Sequence, residues 1–331
     1  MAAIISLIAV LVLALLAWMG GSIPGGAPIF TVVIPYLAMI VFIVGVATKI
    51  LKWARTPVPF RIAGTFGQAN SLDWIKNDNL DCAHTTLGVI ARMALETLCF
   101  RSLFRNTATR VEEGPKVIQV ASPCLWAAAM AFHWSFLTVA LRHLRFFTDP
   151  TPFFVIWIER LDGFLELGVP TVFMSSLVLF GALGFLLFRR FAQSSVRYIS
   201  LPSDYFTLYL LLGIAGTGIL MRHTGARVDV TAIKELAVGL ASFHPVVPGS
   251  LGGVFYVHIF LVSVLLAFFP FSKLMHAPGV FLSPTRNLAN NSRMKRHVNP
   301  WDYPVAVHTY EEYEDEFREK MKKTNIPVDK E

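Results

Sequence analysis

Charge and cysteine are both scarce in this chain of 331 residues. Only 15% of its residues are charged, whereas 54% are hydrophobic, which lies outside the range of soluble globular proteins. The three cysteines are too far apart for a CxxC redox pair, a CxxCH haem attachment or an iron–sulfur ligand run: Cys82, Cys99 and Cys124. The cysteine pattern therefore excludes covalent haem attachment and cluster binding of those kinds.

Six apolar stretches are long enough to cross a bilayer. A hydrocarbon core of roughly 30 Å needs about 20 apolar residues in helical form. The predicted spans are 4–20, 28–51, 123–144, 169–188, 205–221 and 254–271. The predicted fold class is therefore an all-α integral membrane protein, a six-transmembrane-helix bundle with a cytoplasmic insert and a cytoplasmic tail. No Lys or Arg precedes the first stretch, so we expect a retained span and not a signal peptide.

The distribution of lysine and arginine predicts the orientation. Most basic residues fall in the connection 52–122 and after residue 271, and short basic loops stay in the cytoplasm. Both termini are expected in the cytoplasm, in a multi-pass protein of the cell inner (cytoplasmic) membrane. The net charge of +7 reflects this topology, so lipid is an expected partner and nucleic acid is not.

Four parts are predicted along the chain. Two N-terminal spans (1–51) precede a cytoplasmic insert (52–122), a four-helix core (123–276) and a tail (277–331). Helical spacing of apolar and charged residues predicts an interfacial helix in the insert. Further interfacial or exposed segments are predicted outside the six spans at 81–105 in the insert, 149–166 and 228–243 on the outer side, and 311–323 in the tail.

Nine histidines occur, and four of them fall within or at the end of apolar spans. These are His133 and His143 on the third span and His258 and His276 on the sixth. Ionisable groups at membrane depth are costly and mark function. A haem explains them, because a neutral imidazole gives its lone pair to iron while the porphyrin replaces lipid. For each histidine alone, a polar packing contact or a proton relay is the alternative.

The topology predicts how these histidines pair. The third and sixth spans run in opposite directions, so His133 and His276 lie toward the cytoplasm. By the same logic His143 and His258 lie toward the outside. The ten-residue step along the third span is roughly 15 Å of helix, whereas the 18-residue step along the sixth is roughly 27 Å. We expect Pro270 to end or kink the sixth span and bring His276 back. Two axial histidines per iron leave no open position, which favours electron transfer.

Both histidine-bearing segments resemble those of a known family. The sixth span reads GGVFYVHIFLVSVLLAFFPFSKLMH over 252–276, and the third contains FHW and LRH between 132 and 143. In both histidine spacings they resemble the ligand helices of the respiratory nitrate reductase gamma subunit family, over roughly 41–287. The resemblance implies a membrane cytochrome b with two non-covalent haem b groups, axially held by the histidine pairs given above in a di-haem core.

The insert resembles a more specific group of membrane subunits. Its stretches GQANSLDWIKNDNLD (67–81) and GVIARMALETLCFRSLFRNT (88–107) look like the DsrM family of membrane subunits from DsrMKJOP complexes. The resemblance implies a quinone-linked oxidoreductase subunit that transfers electrons between menaquinone or menaquinol and a cytoplasmic iron–sulfur partner. That partner would resemble DsrK, of the heterodisulfide reductase type. Other DsrMKJOP-like subunits and a role in dissimilatory sulfur metabolism, by sulfate reduction or sulfur oxidation, are implied as well.

The quinone site departs from the family pattern. The nitrate reductase relatives carry a lysine in the outer loop, whereas 149–166 here contains none. Arg160 is the predicted substitute, because a guanidinium can hydrogen-bond a quinone carbonyl. The expected proton acceptors during quinol oxidation are Glu159, Asp162 or Glu166. Alternatively, Arg160 and Asp162 only decorate an interfacial helix. The cations predicted for the haem propionates are Arg142, Arg145 and Arg222 outside and Lys273 inside.

Two other classes of function stay open from the sequence. A proton-conducting or transport membrane protein would use the same histidines as a proton relay. The chain has no visible internal repeat, which weakens the inverted-repeat form of that alternative. A non-redox membrane anchor would use the insert and the tail only as docking surfaces for a soluble enzyme. Bound haem separates the first class from electron transfer, and reduction by menaquinol separates the second.

Overall fold

Six long apolar helices form the body of the part of the chain that the structure describes. The computed structural model describes residues 1–57, 78–114, 116–163, 171–226, 228–249, 251–290 and 307–330. The helices that can cross a membrane are span 1 (Ala2–Ser22), span 2 (Gly26–Ala54), span 3 (Pro123–Phe147), span 4 (Met174–Ala192), span 5 (Pro202–His223) and span 6 (Gly253–Phe271). The predicted all-α membrane bundle is therefore confirmed.

All six spans differ from their predicted bounds by a few residues at one or both ends, and spans 2 and 4 show further differences. Span 2 is built from a short helix at Gly26–Pro28, a π-helical turn at Ile29–Val33 and an α-helix at Ile34–Ala54. Span 4 was predicted to begin at residue 169, which lies outside the described residues. Residues 171–173 are not helical, and the span begins at Met174.

Span 1 packs directly on spans 5 and 6. The buried core at this contact consists of Val10, Ala17, Leu210, Val257 and Leu261. Ala17 is completely buried, and small residues of this kind let helix backbones approach closely within a membrane. A second core, shared by spans 4 and 5, contains Leu179, Leu183 and Leu211, with side chains of span 3 against it. The N-terminal span is thus an integral part of the bundle.

The insert contains more than the predicted interfacial helix. A helix runs from Thr86 to Leu98, with the hydroxyl of Thr85 accepting a hydrogen bond from the amide of Gly88 at 3.1 Å. It ends at Cys99, and Phe100 has a positive φ of 51° before a short helix at Arg101–Phe104. The prediction of one continuous helix over 81–105 was therefore wrong. The left-handed backbone conformation of Phe100 separates two helices there.

A β-hairpin follows that was not predicted. Strand β1 (Thr107–Glu112) pairs antiparallel with strand β2 (Lys116–Ala121), and Thr107 lies opposite Ala121. Gly114, with φ of 83°, occupies the turn, where a left-handed backbone suits glycine. Residues 58–77, which include most of the predicted DsrM-like stretch 67–81, lie outside the described part of the chain.

The remaining helices lie between spans or after them. Helices at Phe153–Asp162 and Val230–Ala241 match the predicted outer segments, and the tail helix Tyr310–Lys323 matches the predicted one at 311–323. Glu166 lies outside the described residues. The shorter helices are Ser194–Ile199, His276–Gly279, Val280–Leu282 and Pro284–Asn287.

Span 6 ends before its last histidine. Its α-helix runs from Gly253 to Phe268, and a 3-10 turn at Phe269–Phe271 contains Pro270. Ser272 is extended, with φ of −113° and ψ of 175°, and a second 3-10 turn at Lys273–Met275 leads to His276. The predicted effect of Pro270 is therefore observed. A helical rise over 18 residues does not describe the separation of His258 and His276.

Candidate functional site

His133 and His276 lie close together at the end of the bundle that carries the insert, which we call the inner end. Their ring centres are 6.0 Å apart, and the ring planes are inclined by 87°. Two metal–nitrogen bonds of about 2 Å plus the two ring radii give roughly 6 Å between two imidazoles on opposite sides of one metal ion. The edge of Phe100, from the insert, packs against His133 at 4.8 Å between ring centres. The spacing of this pair therefore fits axial ligation of one iron.

His143 and His258 are neighbours toward the opposite end, which we call the outer end. Their imidazole rings lie near one another. Span 5 supports His258 from behind: the Thr217 hydroxyl lies 2.9 Å from Nδ1 of His258. At Gly218 an added Cβ would lie 3.5 Å from Cε1 of the same ring, so the two helices meet closely there.

All four histidines use Nδ1 for a hydrogen bond. Carbonyl oxygens accept from His133, His143 and His276, at 2.7, 2.7 and 2.8 Å respectively. A carbonyl can only accept, so Nδ1 carries the proton and Nε2 keeps its lone pair. Within the described residues no group hydrogen-bonds Nε2 of any of the four. This is the tautomer and the outer-shell support that histidines bound to a metal use.

The donor set fits haem better than a metal ion held by protein alone. Among the residues that the structure describes, no cluster of three or more His, Cys, Asp or Glu could hold a metal ion. A structural zinc site needs four protein ligands and a catalytic one usually three. A haem iron takes its four equatorial ligands from the porphyrin, so two histidines complete it. The residues present therefore fit two bis-histidine haems.

A sealed ion-pair cluster lies beside His143. One carboxylate oxygen of Asp162 accepts from Arg142 at 2.6 Å and from the hydroxyl of Ser175 at 2.5 Å. The other accepts from the Ser175 amide at 2.7 Å, in the first turn of span 4. The guanidinium of Arg142 also stacks on the ring of Phe173 at 3.3 Å. The Nε of Arg142 is buried and has no hydrogen-bond partner within the described residues. It is thus a free donor near the outer histidines.

The residues predicted for quinone chemistry do not form one group. Glu159 pairs with Arg145 at 2.7 Å, and Asp162 belongs to the cluster just described. Arg160 is exposed and lies 5.8 Å from the ring centre of Trp157. The structure thus joins Glu159 and Asp162 to arginines near His143 and leaves Arg160 apart. Their role at a quinone stays a prediction.

The inner end carries a related but more exposed ion pair. Asp204 lies in the first turn of span 5 and accepts from the amide of Leu201 at 3.0 Å. Its carboxylate also binds Lys273 at 2.8 Å, with Arg190 at 3.9 Å. The carbonyl of Lys273 accepts from Nδ1 of His276.

The predicted propionate cations already have partners within the protein. Lys273, Arg142 and Arg145 are paired with carboxylates, and Arg222 donates to the carbonyl of Thr171 at 3.0 Å.

Two of three further contributors to the site have no clear signal in the sequence. Thr217 is one hydroxyl in an apolar span, and its contact with His258 joins residues 41 positions apart. Phe100 reaches His133 only because of its unusual φ. Ser175 could have been suspected, because a serine at the start of a helix commonly takes part in capping.

Comparison with known proteins identifies a family and two relatives of this chain. A family described as Nitrate reductase gamma subunit matches residues 88–297. The chain belongs to this family. Two relatives carry the description "Hdr-like menaquinol oxidoreductase cytochrome b-like subunit". The one from Archaeoglobus fulgidus is 44% identical over 281 residues, which is 83% of each chain. The one from Archaeoglobus profundus is 38% identical over 276 residues, 81% of each chain.

These findings confirm the predicted likeness to the nitrate reductase gamma subunit family and are consistent with the DsrM-like one. All four histidines lie within the family match, which begins in the insert at residue 88. Spans 1 and 2 precede it. The bundle therefore combines a family core with two further helices, the first of which packs against the histidine-bearing span 6.

Proposed function

We propose that this chain is a di-haem b membrane subunit that transfers electrons between menaquinol or menaquinone and a cytoplasmic iron–sulfur protein. One observation carries the proposal: four histidines, three on membrane-spanning helices and His276 just after span 6, each donate or offer Nδ1 to an oxygen and keep Nε2 free. A proton relay does not need this shared tautomer, whereas axial ligation of iron does. The names of the two relatives support both the cytochrome and the menaquinol parts.

Each haem has its own pair of residues in this proposal. His133 and His276 hold the inner one, and His143 and His258 hold the outer one. When bound there, haem b would supply one-electron redox chemistry. The protein keeps the four imidazoles neutral and oriented through their Nδ1 hydrogen bonds. Phe100 and Phe132 pack edge-on against His133, each at 4.8 Å, and help to exclude water from that pair.

The partners follow from the two ends. The inner end carries the insert and the tail, and we propose that it faces the cytoplasm in the cell inner membrane, where it docks an iron–sulfur protein resembling DsrK. Other DsrMKJOP-like subunits and a pathway of dissimilatory sulfur metabolism belong to the same proposal. Quinone exchanges at the outer end. There Glu159 or Asp162 is the proposed proton acceptor and Arg160 the proposed cation for a quinone carbonyl.

Spectroscopy of the purified full-length chain tests this function. We expect a Soret band, a reduced alpha band of the b type and two haems per chain by haemochrome assay. Menaquinol should reduce both haems in stopped-flow experiments. A folded chain without haem would favour the proton-conducting or transport alternative. A haem-loaded chain that menaquinol does not reduce would favour a membrane anchor.

A further inference from the structure

The four histidines differ in what accepts their Nδ1 hydrogen bond. His133, His143 and His276 donate to backbone carbonyls. His258 instead lies with Nδ1 2.9 Å from the hydroxyl of Thr217 on span 5. A backbone carbonyl remains when a side chain is replaced, whereas a hydroxyl does not. The support of His258 therefore depends on the identity of one side chain.

The hydroxyl proton of Thr217 is already used within span 5. Its Oγ1 lies 2.7 Å from the carbonyl oxygen of Gly213 and 3.0 Å from that of Ile214. Threonine in a helix commonly makes this backward bond, and a hydroxyl has a single proton to donate. The group that Thr217 presents to His258 is therefore a lone pair, which accepts from Nδ1–H. The imidazole then carries its proton on Nδ1 and keeps the lone pair of Nε2.

Two glycines let spans 5 and 6 approach closely on either side of this contact. A Cβ added at Gly218 would lie 3.5 Å from Cε1 of His258 and 4.0 Å from its Nδ1. A Cβ added at Gly213 would lie 3.0 Å from a methyl carbon of Leu261, three residues after His258 on span 6. Small residues permit this kind of contact between membrane helices. Thr217 is therefore held at hydrogen-bond distance from the ring by the packing of both helices.

We propose that Thr217 is a positioning residue for His258, which it holds in the tautomer and orientation that axial ligation of the outer haem needs. The inference rests on the proposed function and deepens it, because it gives the outer haem a determinant that the inner one lacks. A hydrogen bond from Nδ1–H makes an imidazole a more basic ligand. A more basic ligand stabilises ferric over ferrous iron, so loss of the acceptor should raise the potential of the outer haem.

Substitutions at Thr217 in the full chain test the proposal. Thr217→Val keeps the shape and removes the acceptor, whereas Thr217→Ser keeps the hydroxyl. The matched control is Thr207→Val on the same span, because the hydroxyl of Thr207 donates to the carbonyl of Ser203 at 2.8 Å and, within the described residues, bonds none of the four histidines. Redox potentiometry should show a higher potential for one haem in Thr217→Val alone. EPR of the ferric state should show a changed angle between two imidazole planes in the same variant.

Single-haem backgrounds assign the shift to one end. Thr217→Val should raise the potential in His133→Ala, which is expected to retain the outer haem, and leave it unchanged in His143→Ala, which is expected to retain the inner one. Loss of the outer haem in Thr217→Val but not in Thr217→Ser would also support the proposal.

Two results would overturn the proposal and leave the proposed function intact. One is a Thr217→Val chain with wild-type potentials and EPR spectrum. The other is an equal change in Thr217→Val and Thr217→Ser, which would make the effect one of side-chain volume and not of the hydroxyl. A folded wild-type chain without haem would refute the proposed function itself, and this inference with it.

Discussion

The two ends of the bundle each contain an aspartate–cation pair, but the two pairs differ in solvent exposure. At each end a buried aspartate accepts from a backbone amide at the start of a span and holds a cation next to a histidine. At the outer end Asp162 binds Arg142, the neighbour of His143 in the sequence. At the inner end Asp204 binds Lys273, whose carbonyl accepts from His276.

The two ion pairs differ in how exposed their cations are. The side chain of Arg142 is 12% exposed and that of Lys273 is 74% exposed, although both aspartates are buried. A buried pair is costly to break, because the remaining buried charge loses its partner of opposite sign. An exposed cation is replaced by water at little cost. The outer ion pair is therefore closed off from its surroundings, whereas the cation of the inner ion pair is exposed.

Removing the outer cation should have the largest effect. Arg142→Ala leaves Asp162 buried without its charge partner, so the free energy of unfolding should fall by about 3–5 kcal/mol. Thermal unfolding in detergent measures the loss. The matched change at the inner end, Lys273→Ala, should cost about 0–1 kcal/mol because that side chain is exposed. Equal losses in the two variants would contradict the difference between the ends.

The inner aspartate should have an intermediate effect. Asp204→Ala removes the helix cap at Leu201 and the Lys273 pair together, which we expect to cost about 1–2 kcal/mol. Asp204→Asn keeps a capping oxygen without the charge and should cost less. Hydrogen exchange over 273–279 should rise in Asp204→Ala, because Lys273 no longer fixes the carbonyl that orients His276. Unchanged exchange there would mean that Asp204 does not support this histidine.

Protonation of Glu314, a carboxylate outside the membrane, should have the smallest effect on the stability of the bundle. Glu314 on the tail helix accepts from the amides of Asp329 and Lys330, each at 2.8 Å, and from Arg318 at 3.3 Å. The amide of Asp329 in particular lowers the pKa of Glu314 below its ordinary 4.5. A lowered pKa in the folded state means that the contact is stable above the ordinary value and is lost as the pH falls through the lowered one.

NMR of the tail amides follows this titration. The Asp329 and Lys330 signals should change with a midpoint below the ordinary pKa of glutamate, and Glu314→Ala should abolish the change. The melting temperature of the bundle should stay constant over the same pH range. A midpoint at or above the ordinary value would show that these amides do not stabilise the charged carboxylate.

The sequence predicted the bundle because membrane helices follow from apolar length alone, and it predicted the end of span 6 because proline has a local effect. The hairpin of β1 and β2 escaped prediction, since short polar strands have little periodic signal. The break in the helix at Phe100 also escaped prediction, because an aromatic residue rarely adopts the left-handed backbone conformation found there.

The three residues predicted for quinone chemistry lie on one helix but not on one face of it. Glu159 and Asp162 are three positions apart on one helix and so share a face, whereas Arg160 is turned away from it. Helical spacing alone is therefore enough to separate Arg160 from the two acids. Their pairing with Arg145 and Arg142 could not be predicted, because it depends on how the helix Phe153–Asp162 packs against span 3.

Haem content of paired histidine variants tests the central claim most directly. His133→Ala and His276→Ala should each retain one haem, and the double variant should still retain one, because both residues serve the same iron. The cross-pair variant His133→Ala with His258→Ala should retain none. The haemochrome count on folded, purified chains gives this number. One haem in the cross-pair variant, or none in the His133 and His276 double variant, would contradict the pairing.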